Sequence, residues 1–451
     1  MTDRPLTIVF VPESAYGPTN NCVGIGKVLE QRGHRIVFAA ESSWKGKLEP
    51  LGFEEDLVDL APPPEDEEAQ DAGQFWTDFI TETAPEFRKP TIEQLSTFIE
   101  PVFSSLIDGA TYSEPQLREI LDRARPDVIV EDNVNAFPAL LTHGAPWVRI
   151  MSCNPLEMKD PELPPTFSGY PVGDDDGWDE FRHEYERSHR ATWERYNAFV
   201  VDAGAPPLPD LEFIHESDVL NLSVFPEFAD YPRSRPLAPT WHRLESSVRE
   251  TEEPFEVPEA LRSGPGALVY LSLGSLGSAD VDLMRRLVSV LADTQHRYIV
   301  SKGPRADEFE LPDNMWGEGR LPQTSIIPQC DLVITHGGNN TTTESMHFGK
   351  PMIVLPLFWD QYDNAQRVQE LGIGTRLDTY GFDDAELRDA VDRLSADEAL
   401  GTRMSAAGEA IRARDGKRVA ADLIEDVGRS AARGWTGSPP TLDTGPAAGR
   451  S

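Results

Sequence analysis

Short apolar runs separated by longer amphipathic stretches set the rhythm of the chain. Leu6–Pro12 (LTIVFVP), Arg35–Ala40 (RIVFAA), Asp127–Val130 (DVIV), Trp147–Met151 (WVRIM) and Val219–Val224 (VLNLSV) are each nearly continuous in apolar residues. Short runs rich in β-branched residues, bounded by Gly, Pro, Asn and Asp, predict strands buried on both faces. After the first run comes a Gly/Pro/Asn-rich loop, ESAYGPTNN, then a periodic helix, CVGIGKVLEQRG, ending at Gly33. Strand, loop, helix and strand at this spacing make a βαβ unit, the element of parallel sheets with right-handed crossovers. Helical periodicity fills roughly residues 75–124, and an amphipathic helix is predicted around Trp178–Ala198. Val219–Val224 is read as the last strand of this half.

The rhythm then restarts. Ala267–Leu273, Tyr298–Ser301, Asp331–Thr335 and Met352–Leu355 are predicted strands, running into Gly274-Ser275, Gly303-Pro304, His336-Gly337-Gly338 and Pro356. The stretch Glu245–Gly266 clusters Glu, Pro, Ser and Gly and holds few large apolar residues, which marks a linker. The expected organisation is therefore α/β: two Rossmann-like parallel-sheet domains facing across a cleft. The first covers 1–244, the linker 245–266, the second 267–434 with a last helix over Ala399–Arg433, and a Gly/Pro/Ser-rich tail, 435–451, is expected to be disordered. Doubly wound sheets bind ligands at the carboxyl ends of their strands, so the chemistry is expected in the cleft.

Composition narrows the function. A length of 451 residues suits two domains, and 39% hydrophobic with 26% charged residues describes a globular chain. A formal charge of −36 opposes nucleic acid and anionic lipid. Cys22, Cys153 and Cys330 are far apart with no CxxC pair, so neither a zinc module nor a disulfide framework is expected. No leader and no membrane-length apolar run is visible, which predicts a cytoplasmic protein. The sequence leaves the oligomeric state open.

The segment His336–Arg367 (HGGNNTTTESMHFGKPMIVLPLFWDQYDNAQR) carries the chemistry. It reads as a strand end, a Gly-Gly turn and a helix start. Thr341 or Thr342 would cap the helix, whose free N–H groups and positive dipole end form a diphosphate site. His336 can donate to the same phosphates, and Glu344 can accept from both hydroxyls of a ribose. Plainer readings exist: Thr341-x-x-Glu344 is also a capping box, and Asp360 could simply cap the following helix. These do not account for a Gly-Gly turn, a His and a capped helix together at one strand end.

This segment resembles the C-terminal signature of the UDP-glycosyltransferase family, the one containing macrolide and plant natural-product glycosyltransferases, of GT-B fold. His336, Gly338, Asn340, Thr341, Glu344, Gly349, Pro351, Met352, Asp360, Gln361 and Asn364 stand in register with it. Upstream, Pro322-Gln323 resembles the element beside the uracil, and Leu271–Ser275 a Ser-Phe-Gly-Ser turn. The resemblance implies that His336, Asn340 and Thr341 hold the diphosphate, with Glu344 on the ribose, Gln323 beside the uracil, and Ser275 and Gly338 also among the donor-binding residues. It places Asp360 and Gln361 on the sugar hydroxyls. The co-substrate is then a UDP-sugar, with no metal and no other cofactor, and the acceptor a small apolar molecule. Where the family often stacks an aromatic residue on the uracil, this chain has Arg320, whose plane can also stack on a base.

The acceptor half departs from the pattern. The family's base is a His in the first strand–helix loop, steered by an Asp at a later strand end. Asp132 stands in the Asp position, but Pro18 or Tyr16, depending on the direction of counting, takes the place of the His. Three explanations stay open. Asp132 or Glu13 acts as the base; or the acceptor is a phenolate or carboxylate that needs none; or the protein binds the donor as a pseudoenzyme or auxiliary subunit. His183 and His189 miss a zinc spacing and are expected on an exposed helix face. Asp174–Asp176 is expected to be a solvated loop. Phe75, Trp76, Phe79, Phe98 and Phe103 are expected either to line the acceptor side or to be core. A dehydrogenase would need Gly-x-Gly-x-x-Gly at an early turn, and Gly24-Ile-Gly26 lies inside a helix pattern. A UDP-sugar epimerase shares the architecture without the large acceptor region.

Overall fold

The computed structural model describes residues 4–62 and 83–432; Phe75, Trp76 and Phe79 lie outside the described residues. Among these, seven strands form one all-parallel sheet: β1 (Thr7–Pro12), β2 (Arg35–Phe38), β3 (Glu54–Glu55), β4 (Val128–Asp132), β5 (Trp147–Met151), β6 (Leu220–Ser223) and β7 (Trp241–Arg243). Its order is β3-β2-β1-β4-β5-β6-β7. Six more form a second parallel sheet: β8 (Leu268–Ser272), β9 (Arg297–Ser301), β10 (Met315–Glu318), β11 (Leu332–Thr335), β12 (Met352–Val354) and β13 (Gly374–Arg376), in the order β10-β9-β8-β11-β12-β13. Both orders reverse direction beside the first strand of their half, which opens a crevice at the carboxyl ends.

The central strands are the apolar runs of the sequence because both of their faces are covered. On β1, Ile8 and Phe10 face the helix Tyr16–Gln31, while Val9 and Val11 face the helix Glu100–Ala124. The strands that the pattern does not reveal are β3, β7, β10 and β13, and all four are sheet edges. They are short and partly exposed, so they lack the apolar run that gives a central strand away. Val219–Val224 is therefore not the last strand of its half; β7 follows it.

Three further differences bear on the site. The helix expected after ESAYGPTNN starts inside that segment, at Tyr16, and leaves only Glu13, Ser14 and Ala15 as the turn. Pro18 sits in its first turn, where a missing N–H breaks no helical bond. The expected last helix is two helices, Glu398–Arg414 and Gly416–Ala432, broken at Asp415 with φ of 46°. The second of them crosses back: Ala420, Ala421, Leu423, Ile424 and Val427 are buried in the N-terminal half's core beside the helix Tyr16–Gln31.

Candidate functional site

β11 ends at Thr335, and the chain turns through His336-Gly337-Gly338 into the helix Asn339–His347. Gly338 is the N-cap residue and no side chain caps the helix. The expected cap at Thr341 or Thr342 is not there: both lie inside the helix, and the Thr342 hydroxyl donates backward to the Gly338 carbonyl at 3.1 Å. The capping-box reading of Thr341 and Glu344 therefore fails, and the first-turn N–H groups, which no helical carbonyl can reach, receive no side-chain acceptor. Such a terminus favours an anion.

His336 lies between two glycines. A Cβ on Gly274 would stand 2.7 Å from its Cε1, and one on Gly338 2.5 Å from its Nε2. Any larger residue at either position would displace the ring. Burial pushes the imidazole down to about 4, so near neutral pH it is an uncharged donor. Ser275 stands in the turn Gly274–Gly277 beside it; its side chain lies outside what is described.

One turn into the helix, Glu344 is 3% exposed. Its Oε2 accepts from Gln323 Nε2 at 2.6 Å, and its Oε1 from Arg249 Nη1 at 2.8 Å. Gln323 also donates to Thr341 Oγ1 at 3.1 Å. Gln323, Thr341 and Glu344 are thus brought together as the resemblance implies, with Arg249 of the linker added. Arg320 points elsewhere. Its guanidinium lies 4.7 Å from the Tyr16 ring centre, and its Nη1 donates to the Tyr16 hydroxyl at 3.3 Å, across the cleft.

The facing half supplies the acid. β1 and β4 are neighbours with Pro12 opposite Asp132, and Glu13 N–H donates to the Asp132 carbonyl at 2.8 Å. Asp132 is 2% exposed; its Oδ1 accepts from Ser152 Oγ at 2.7 Å, and its Oδ2 has no partner. Burial, with Glu157 and Glu13 nearby, pushes its carboxyl up to about 8. Asn339 Nδ2 donates to the Ser152 carbonyl at 2.7 Å, so one residue, Ser152, touches both the donor helix and the acid. Other bonds close the cleft. Asn340 Nδ2 donates to the Gly17 carbonyl at 3.0 Å and its Oδ1 accepts from Asn21 at 3.1 Å. Asn154 N–H donates to Asp360 Oδ2 at 2.9 Å.

Asp360 is thus no helix cap. It precedes the helix Gln361–Glu370 but makes no capping bond, and burial pushes it up to about 7. Gln361 Oε1 accepts from Leu357 N–H at 3.0 Å and Phe358 N–H at 3.3 Å, holding the loop that carries Asp360.

A pocket beside Asp360 is lined by Phe103, Phe167, Tyr185, Phe213 and Trp359, with Lys159 among them. Its free volume is about 30 Å³, room for about two waters. Phe103 lines it, while Phe98 packs into the core against Phe87 and Phe358. His189 is not exposed: it is fully buried, stacked on Tyr185 at 4.1 Å, and pushed down to about 4 by burial. The signal was present, because His189 falls on the stripe Trp178, Phe181, Tyr185, Thr192, Tyr196, Val200 of the helix Trp178–Asp202. His183 is exposed as expected. Ser152, Asn154 and Lys159 were not foreseen, although all follow a strand's carboxyl end. Among the described residues no cluster of His, Cys, Asp and Glu could hold a metal ion, and no helix is long and apolar enough to cross a membrane.

Comparison with known proteins agrees with this fold. Residues 285–425 match the family model of the erythromycin biosynthesis protein CIII-like C-terminal domain. The chain is 22% identical over 423 residues to the NDP-glycosyltransferase YjiC of Bacillus subtilis, covering 93% of this chain and 96% of that one. It is 25% identical over 436 residues to the oleandomycin glycosyltransferase of Streptomyces antibioticus, covering 93% and 90%. A solved glycosyltransferase of kitacinnamycin superposes with a TM-score of 0.68 at 23% identity, covering 94% of this chain and 99% of that one. The chain has the GT-B fold, and its sequence is similar along most of its length to glycosyltransferases of the UDP-glycosyltransferase type, natural-product glycosyltransferases among them.

Proposed function

We propose that the protein is an inverting glycosyltransferase that moves a hexose, glucose by first choice, from a UDP-sugar to a small, largely apolar acceptor, with Asp132 as the base. The observation that carries this reading is the Ser152 bridge, which sets the uncapped donor helix and the acid within two hydrogen bonds of each other. In the proposed reaction the diphosphate lies on the first-turn N–H groups of the helix Asn339–His347, with His336, Asn340 and Thr341 around it. Glu344 and Gln323 hold the nucleoside, and Asp360 and Gln361 meet the sugar. The acceptor lies along Phe103, Phe213 and Trp359. Asp132 Oδ2, the oxygen without a partner, takes the acceptor proton as the acceptor oxygen attacks the anomeric carbon from the face opposite the diphosphate. UDP leaves with its new charge on fixed N–H dipoles. A carboxyl at about 8 suits a base working near neutral pH far better than an ordinary one near 4.

The test is UDP release from UDP-glucose by purified protein, with and without a panel of phenols and macrolides. The reading expects release that depends on acceptor and yields a product of inverted configuration. Tight UDP binding with no transfer to any acceptor favours a donor-binding auxiliary protein. That alternative is supported by the absence of any His between Glu13 and Gln31. Interconversion of UDP-sugars without acceptor would make it an epimerase.

A further inference from the structure

The interdomain linker is more than a tether. Arg249 leaves it and enters the donor site, where its Nη1 donates to Glu344 Oε1 at 2.8 Å while its Nη2 pairs with Glu252. Glu252 Oε2 in turn accepts from the Thr324 N–H at 2.7 Å and the Thr324 hydroxyl at 2.8 Å. Thr324 follows Gln323, whose Nε2 donates to Glu344 Oε2 at 2.6 Å and whose Oε1 accepts from the Tyr270 hydroxyl at 3.2 Å. The contacts close a ring: Glu344, Arg249, Glu252, Thr324, Gln323 and back to Glu344. Every side chain in it is mostly buried, with Arg249 11% and Glu344 4% exposed at the side chain.

We propose that Arg249 is the positioning residue of the nucleoside subsite, fixing the Glu344 carboxylate as an acceptor for a ribose diol and so making the site select ribonucleoside over 2′-deoxyribonucleoside diphosphates. This rests on the donor reading given above. The physical case is one of lone pairs and orientation. A carboxylate offers about four acceptor directions over two oxygens. Arg249 and Gln323 take one on each oxygen and lock the group's plane, leaving one on each oxygen for a neighbouring pair of hydroxyls. A single hydroxyl would leave one of these buried directions unpaired, which is the situation in which polar sites discriminate most strongly. Burial pushes the Glu344 carboxyl up, and the Arg249 guanidinium opposes that shift. A planar guanidinium forked between Glu344 and Glu252 is also a better clamp than a flexible ammonium.

The experiment is calorimetric titration of the full chain with UDP and with 2′-deoxy-UDP, for wild type, Arg249→Met, Arg249→Lys and Glu252→Gln, with thermal melting as the control for folding. The expected result is wild-type preference for UDP. Arg249→Met then weakens UDP roughly tenfold or more but 2′-deoxy-UDP much less, so that the preference collapses. Arg249→Lys restores part of it. Glu252→Gln, which leaves the Arg249 charge in place and loosens its anchor, gives a smaller loss in the same sense and carries the test if Arg249→Met does not fold. Equal losses for both nucleotides would show a purely structural arginine and overturn the proposal. Tighter UDP binding by Arg249→Met would show a plug in the ribose site and overturn it too. A wild type that binds UDP without preference overturns this inference alone, whereas one that binds neither nucleotide overturns the donor reading as well.

Discussion

At their bases the two halves are near copies of each other. In the N-terminal half, His34 Nδ1 accepts the Leu6 N–H at 3.0 Å and its Nε2 meets Glu425 at 3.0 Å. In the C-terminal half, His296 Nδ1 accepts the Ala267 N–H at 2.9 Å and its Nε2 meets Asp392 at 2.8 Å. Asp127 accepts the Thr7 N–H at 2.8 Å just as Asp331 accepts the Leu268 N–H at 2.8 Å. At the opposite, carboxyl ends the likeness stops. The C-terminal half presents glycine turns, an uncharged His336 and bare N–H groups. The N-terminal half presents Asp132 and Glu13, both pushed up by burial. On the proposed reading, anion recognition belongs to one half and proton acceptance to the other, on one scaffold used twice. On the same reading, helix dipoles would draw a phosphate to the C-terminal half despite a chain charge of −36.

The sharpest way to break this contrast is Asp132→Asn, which keeps shape and loses the proton acceptor. Transfer to alcohols should fall by about 10²–10⁴-fold while UDP binding stays. In wild type the rate should drop as pH falls below about 8, because the base must be ionised. A flat rate over about pH 5–8 together with full activity of the variant would sink Asp132 as base. Next in size, His336→Ala and Glu344→Ala should each cost about 1.5–3 kcal/mol in UDP affinity with unchanged circular dichroism; normal binding by both would put the donor elsewhere.

The same acid has a price in stability. Asp132 and Asp363 are pushed up to about 8 and Asp360 to about 7, chiefly by burial, from ordinary values near 4. On these three groups the folded state holds protons that the unfolded chain releases, so their contribution to stability should fall as pH rises from about 4 to about 8. Asp132→Asn removes one such group, so its stability gain over wild type in urea melts should grow by about 1–3 kcal/mol between pH 5 and pH 8. A gap that shrinks with pH would contradict the burial argument. His34→Ala and His296→Ala should each cost about 1–3 kcal/mol by stranding a strand N–H, and neither should alter UDP affinity. Unequal costs would show that the bases are alike only in appearance. The smallest effect is expected from Gln361→Ala, a few-fold rise in KM for the UDP-sugar with roughly unchanged UDP affinity.

What could be read from the sequence follows the same division. The buried strands and the segment His336–Asn364 were legible because a fully covered strand must be apolar and a diphosphate turn needs glycine at fixed places. The four edge strands were not, since they are short and partly exposed and carry no continuous apolar run. Tyr16–Asn21 read as a loop because Gly, Pro and Asn punctuate chains, yet in a first turn none of them is a breaker. His189 reads as exposed from its polar chemistry, whereas its place on the buried stripe of the helix Trp178–Asp202 decides its burial. The role of Arg249 is out of reach of the sequence, since a linker's composition marks its course and not what each of its side chains touches. The crossing of Gly416–Ala432 was equally hidden, because an apolar stripe does not name the surface that it covers.

That crossing has a mechanical consequence. The chain passes between the halves twice, once after β7 and once at Asp415, and the two passages touch. A Cβ on Gly416 would stand 1.9 Å from the Leu244 carbonyl oxygen and 2.3 Å from that of Ser246, and Arg414 lies 3.5 Å from Glu245. Two bodies joined by a single thread can twist, slide and separate. Joined by two threads pinned at one point, they keep a single inexpensive degree of freedom, the swing of a jaw about its pivot. The residue at that pivot, Gly416, has no room to grow.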